Sequence, residues 1–348
     1  MNDNRNYGLD IARIIAMCGI IILHILGQGG ILKNIHMDNE KYWMAWWVEI
    51  CAYCSVDLFA LLSGWLGINK KKYSCFRMLE LIITVIIYCI VVTLIFLVFD
   101  QGLLQQKSEI IKGIFPYLIG RYWYIICYIP LIALQPFINQ MLLELSLKQH
   151  KILCLLSICI FTIVPTIMNQ DYFGLKQGYS FGWLLICYVI GGYLKRREDM
   201  KSQDIGNKYL LIFLICSFLL LVSKLINYNF IEYTSPITLL MAIVLLLYMK
   251  NIKVNKGKKL IKMLSISAFD VYIIHCHILI LDRIIFNHFI WMIKYSIIVL
   301  PFLIILSVVI IYVMLGIIGL FRIKVFKQIG VNKIINKISN KLDKIIYV

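Results

Sequence analysis

The sequence predicts an all-α integral membrane protein of about ten transmembrane helices, with both termini in the cytoplasm. Three observations predict it. Of the 348 residues, 61% are hydrophobic and only 15% charged, where soluble domains run to about half and a quarter. Apolar runs of about 20 residues recur along the chain, the length an α-helix needs to cross a bilayer. A β-barrel would instead show short alternating segments. Finally, Lys and Arg crowd into alternate connections.

The runs fall at 9–27, 43–66, 79–99, 117–138, 152–168, 181–194, 209–226, 236–250, 263–284 and 292–321. The first lacks a small-residue cleavage site and reads as a retained span rather than a secretory leader. The second opens on Trp43, Met44, Ala45, Trp46 and Trp47, an aromatic belt at an interface. The fourth contains Pro130 and Pro136, which should kink it. With the N-terminus inside, the inner connections include NKKKYSCFR, YLKRRED and KVNKGKKLIK, and roughly 25 of the 35 Lys and Arg fall on that side.

The formal charge of +17 therefore has a membrane explanation, and no nucleic-acid partner is implied. Residues 1–321 read as one membrane domain. Residues 322–348 read as a basic amphipathic tail suited to the anionic inner leaflet, with Ile and Val at helical intervals among lysines. The bilayer is the first expected partner. The 11 cysteines lie mostly within apolar runs and form no secreted framework. Cys51 and Cys54 have CxxC spacing without a second pair, and His275 and His277 at i, i+2 point apart on a helix, so no metal site is expected.

Ionisable side chains inside a span are costly and face a partner or a wet cavity. In the first span Arg13 and His24 are 11 residues apart, close to three helical turns, so they share a face about 16 Å apart along the axis. Asp10 is three residues before Arg13 and within pairing reach, although a helix start at the interface explains those two equally well. Glu49, Tyr53 and Asp57 form a polar stripe on the second span, with Ser63 and Gly64 further along. The fourth span carries Arg121, Trp123 and Tyr124, as a pocket lining or an outer belt. The ninth supplies Ser267, Asp270, Tyr272, His275 and His277, with Asp270 and His277 expected on one face. No Gly-rich phosphate loop, H-E-x-x-H or G-x-S-x-G occurs.

Together these residues resemble the acyltransferase-3 family of membrane acyltransferases. The family's Arg, ten residues, then His in the first span stands here as Arg13 to His24. Its FF-x-x-SG element resembles Leu58 to Gly64. Its aromatic fourth-span element resembles the stretch from Arg121 to Asn139. Its late S-x-x-x-Y-x-x-H element resembles Ser267 to His275, with one extra residue. Where members often carry a double arginine after the second span, this chain has Lys70, Lys71, Lys72 and Arg77. Lysine neutralises phosphate without arginine's bidentate fork.

The resemblance implies transfer of an acyl group, acetyl by analogy, from cytoplasmic acyl-CoA to a hydroxyl of a lipid-linked or cell-surface carbohydrate. Acetyl-CoA is then a co-substrate, and no metal is required. The resemblance implies His24, Arg13 and Asp10 as the catalytic set, with His24 as general base or transient acyl carrier. It assigns Lys71, Lys72, Arg77, Ser63, Trp123 and Tyr124 to acyl-CoA. Asp57, Glu49, Tyr272 and His275 are left for the acceptor or for support. The alternative is a transporter or flippase for a small polar solute or lipid-linked sugar, which intramembrane charges suit equally.

Overall fold

A computed structural model describes residues 5–70, 74–100, 102, 106–200, 206–225 and 230–346. Among these residues every regular element is helical. In chain order they are α1 (Tyr7–Leu26), α2 (Glu40–Tyr53), α3 (Ser55–Gly67), α4 (Phe76–Phe99), α5 (Lys107–Ile114), α6 (Trp123–Glu144), α7 (Leu147–Ile158) and α8 (Val164–Met168). There follow α9 (Phe181–Met200), α10 (Gly206–Leu225), α11 (Pro236–Lys250), α12 (Lys258–His275), α13 (Ile278–Ile280), α14 (Val299–Gln328) and α15 (Val331–Ile346).

Each expected span coincides with helix, but not all with one long helix. Among the described residues seven helices are long and apolar enough to cross a membrane, or eight if a bent pair counts as one span. That pair is the ninth run, whose halves Lys258–His275 and Ile278–Lys294 meet at 70°. α11 has only 15 residues, and α9 gives up its last turns to Lys195, Arg196, Arg197 and Glu198.

Several boundaries differ from expectation for local reasons. The second run breaks at Cys54, so the stripe of Glu49, Tyr53 and Asp57 spans two helices. The fourth span starts late, at Trp123, because Pro116 opens a 3₁₀ turn and Gly120 and Tyr122 then adopt left-handed backbone. It then runs through both Pro130 and Pro136 as one helix. α12 ends at His275, which takes His277 off the face of Asp270. His277 instead caps α13, its Nδ1 accepting from the Leu279 N–H at 3.3 Å.

α1 is central. The Asn6 side chain caps it by accepting from the Leu9 N–H, and it packs against α2, α3, α11, α12 and α14. α3 and α9 approach closely because each offers glycine to the other's backbone. A Cβ on Gly64 would stand 2.0 Å from the Tyr188 carbonyl oxygen, and one on Gly191 2.1 Å from that of Leu61. Without a hydrophobic drive between helices in lipid, such small-residue contacts supply the packing.

α15 docks on α4. Asp343 Oδ1 accepts from the Cys75 N–H (2.7 Å) and Oδ2 from Ser74 and Ser339 hydroxyls (2.9 and 3.1 Å), so the tail caps the start of α4. Ile335 faces inward, while Ile334, Ile338 and Ile345 form an exposed apolar row flanked by exposed Lys333, Lys337, Lys341 and Lys344.

Candidate active site

A cavity of about 550 Å³ opens among α1, α3, α4, α6, α12 and α14. Among the described residues four cations line it: Arg13, Lys70, Arg77 and Arg322. Aromatic rings of Phe59, Tyr124, Tyr128 and Tyr272 form much of the remaining wall.

Two carboxylates hold two of the arginines. Asp10 takes Arg5 in a bidentate grip (2.6 and 2.9 Å) and lies 3.4 Å from Arg13. Ser265 of α12 bridges the set, accepting from Arg13 at 2.7 Å and donating to Asp10 at 2.8 Å. The expected Asp10–Arg13 contact is present, but Arg5 is the closer partner. Across the cavity Asp270, fully buried, accepts two hydrogen bonds from Arg322 at 2.9 Å each and one from the Tyr88 hydroxyl at 2.9 Å. Glu80 stands 3.7 Å from the same guanidinium. Lys70 lies beyond the end of α3. Burial, then the neighbouring Arg77 charge, pushes its ammonium down to about 8.

The imidazoles lie behind this cavity. His24 and His275 have ring centroids 4.9 Å apart. Tyr272, on the cavity wall, is 6.2 Å from His275. His275 Nδ1 is 2.8 Å from the Val271 carbonyl oxygen, which can only accept, so Nδ1 carries the proton and Nε2 presents a lone pair. His24 Nδ1 is buried without a hydrogen-bond partner. The Cys276 sulfur is 3.4 Å from His275 Nε2, and the potential ligand atoms of His24, His275 and Cys276 lie within 4.8 Å of one another. Sequence spacing sets His275 and His277 pointing apart, and they do diverge. His277 Nε2 is turned away, 3.0 Å from the Gly113 carbonyl oxygen.

The other expected site residues separate into groups. Ser63, Arg77, Tyr124 and Tyr272 line the cavity. Ser63 also donates to the Phe59 carbonyl at 3.0 Å. Trp123 does not line it; its ring packs near Tyr179 and Tyr233, at 4.7 and 6.2 Å. Asp57 accepts from Trp183 Nε1 at 2.8 Å, and its second oxygen is buried without a partner, as is Glu49 Oε2. Lys71 and Lys72 lie outside the described residues. Sequence reasoning missed Ser265 and Arg322. Ser265 is 252 residues from Arg13, and Arg322 reads as the first charge of a basic tail, so neither carries a local signal.

A family model described as an acyltransferase domain matches residues 6–318. The chain belongs to the acyltransferase-3 family. It is a membrane acyltransferase. No curated protein and no solved structure gives a match to it. The acyltransferase match covers Arg13, His24, Ser265, Asp270 and His275 and stops before Arg322, so the fourth cation of the cavity lies beyond the shared domain.

Proposed function

We propose that the chain transfers an acetyl group from cytoplasmic acetyl-CoA to a hydroxyl of a cell-surface or lipid-linked carbohydrate, in the plasma membrane of a bacterial cell. The observation that carries the reading is the set of four cations on one cavity whose wall ends at Tyr272, beside the paired imidazoles. Phosphates of the donor meet Arg13, Lys70, Arg77 and Arg322, where low dielectric strengthens each charge contact. The thin pantetheine arm runs between Phe59, Tyr124 and Tyr128 toward Tyr272.

His24 acts as general base. It takes the proton of the acceptor hydroxyl, the oxygen bonds to the acyl carbon, the carbon–sulfur bond breaks, and the proton passes to the leaving thiolate. The products are an ester and free coenzyme A. His275 offers its Nε2 lone pair beside the imidazolium that forms at His24. Arg13 stands about 16 Å from His24 along the helix axis. It therefore orients the head of the donor rather than the acyl carbon, with Asp10 and Ser265 fixing its side chain. The basic mouth faces the cytoplasm, where the exposed lysines of α15 meet anionic lipid.

The test uses purified full-length protein, with folding checked by its melting profile. His24→Ala should lower acetyl-CoA turnover by about 10²- to 10⁴-fold, the usual share of a general base. Full retained activity removes His24 from the chemistry. Turnover should also survive a chelator wash; loss of activity restored by added zinc would instead give His24, His275 and Cys276 a metal. Mass spectrometry of surface glycans with and without the chain identifies the acceptor.

A further inference from the structure

A second cavity, about 250 Å³, lies between the chain leaving α8 and the segment entering α11. α9 and α11 both begin beside it, and both end at basic residues, Arg196 and Arg197 on one and Lys250 on the other. The cavity is thus at the end of the bundle opposite the cationic mouth.

Its chemistry differs from the first. Amides, hydroxyls and carboxylates line it, and none of its described lining residues is a lysine or arginine. Two of its carboxylates already have partners. Asp171 accepts from the Leu175 and Lys176 N–H groups at 2.9 and 2.6 Å. Glu232 accepts from Gln177 Nε2 at 3.0 Å, tying the two chain segments together. Ser235 is 2% exposed, and its hydroxyl is buried without a hydrogen-bond partner. A buried hydroxyl left unpaired costs about 1–3 kcal/mol, so something polar belongs against it. Phe161 and Phe230 supply apolar walls.

The cavity also connects to the chemistry already described. Tyr179 and Tyr233, neighbours in sequence of Gln177 and Glu232, lie 5.2 Å apart and both contact Trp123. From Trp123 an aromatic column runs through Tyr124 to Tyr272 and so to His275, each step 5.6 to 6.2 Å.

We infer that this second cavity is a saccharide subsite, holding one uncharged pyranose ring of the acceptor. Mixed donors and acceptors beside an aromatic wall suit a ring with hydroxyl edges and apolar faces. Asp171 and Glu232 repel an anionic sugar. The identification of the ring as part of the acceptor rests on the carbohydrate reading above; the presence of the subsite does not.

The experiment is saturation-transfer NMR on the full-length protein in detergent, with methyl glucoside, methyl galactoside and the methyl glycoside of N-acetylglucosamine as probes and methyl glucuronide as the anionic control. At least one neutral glycoside should bind, and the glucuronide should not. Ser235→Val, which removes the hydroxyl and fills its space, should weaken binding about tenfold, the equivalent of one buried hydrogen bond. Gln170→Ala, an exposed position that cannot endanger the fold, should weaken it by a smaller factor. No binding of any neutral glycoside, preference for the glucuronide, or binding unchanged in both variants overturns the subsite. Acetyl-CoA turnover measured on the same samples separates the two ideas. Turnover without glycoside binding removes the subsite alone, whereas glycoside binding without turnover removes the acetyl-CoA reading alone.

Discussion

The larger cavity gathers Arg13, Lys70, Arg77 and Arg322, while the smaller presents Asn169, Gln170, Gln177 and Ser235 with two carboxylates. The larger lies among long apolar helices, whereas most of the smaller's lining belongs to the segments that join α8 to α9 and lead into α11. The charge brought to each also distinguishes them, cationic at the first and acidic or neutral at the second. On the reading proposed above, one bundle serves a polyanion at one end and an uncharged polyol at the other by placing different charges at those ends.

That contrast breaks most visibly at Asp270. Asp270→Ala leaves Arg322 facing the larger cavity without its carboxylate. Losing one partner of a buried pair should cost about 3–5 kcal/mol. Asp10→Ala should cost less, about 1–2 kcal/mol, because Arg5 and Arg13 keep side-chain exposures of 31% and 29% against 12% for Arg322. Thermal unfolding in detergent compares the two. Equal losses would mean that burial does not rank these centres.

Gly319 probes the same wall from α14. A Cβ there would stand 2.6 Å from that of Asp270, and neither atom can swing away. Gly319→Ala should destabilise by about 1–3 kcal/mol and raise the donor's KM. Gly316→Ala, whose nearest new contact is the Ser267 hydroxyl at 3.2 Å, should be milder.

Lys70 sharpens the comparison through pH. Its ammonium is held down to about 8, so above that pH the free protein loses one positive charge at the donor mouth. The KM for acetyl-CoA should rise as pH passes about 8, with kcat little changed. Lys70→Met should raise KM by about tenfold at pH 7 and flatten that rise, an effect of about 1.4 kcal/mol. Gln170→Ala, at the other cavity, should leave the donor's KM alone.

The smallest effect belongs to Asp343. Burial raises its carboxyl, but hydrogen bonds from Cys75, Ser74 and Ser339 outweigh that and hold it below the usual carboxylate range. A carboxyl depressed in the folded state stabilises above its ordinary pKa and loses that contribution as pH falls through the folded one. Asp343→Asn should loosen α15 by about 0.5–1 kcal/mol, as for a lost helix cap. Hydrogen exchange across residues 331–346 reads it, and acid should mimic it.

Much of the helical framework was legible because apolar runs act locally. So was the Arg13–His24 spacing, which a single helix fixes. The Asp10–Arg13 contact was legible for the same reason, although Arg5 proved the stronger partner. The break at Cys54 and the turn at His275 were not, since no proline or glycine marks either point. The meeting of His24 with His275 depends on α1 lying against α12, and that of Arg322 with Asp270 on α14 lying against α12. Pairings of that kind are set by helix packing, which one sequence does not display.

The Asp270–Arg322 pair also constrains how the chain is made. Arg5 and Arg13 accompany Asp10 as soon as α1 leaves the ribosome. Asp270 emerges 52 residues ahead of its guanidinium. A lone carboxylate in hydrocarbon is costly, and α14 offsets that cost by bringing Arg322 to it. The cavity wall shared by α12 and α14 is complete only once both helices are in place.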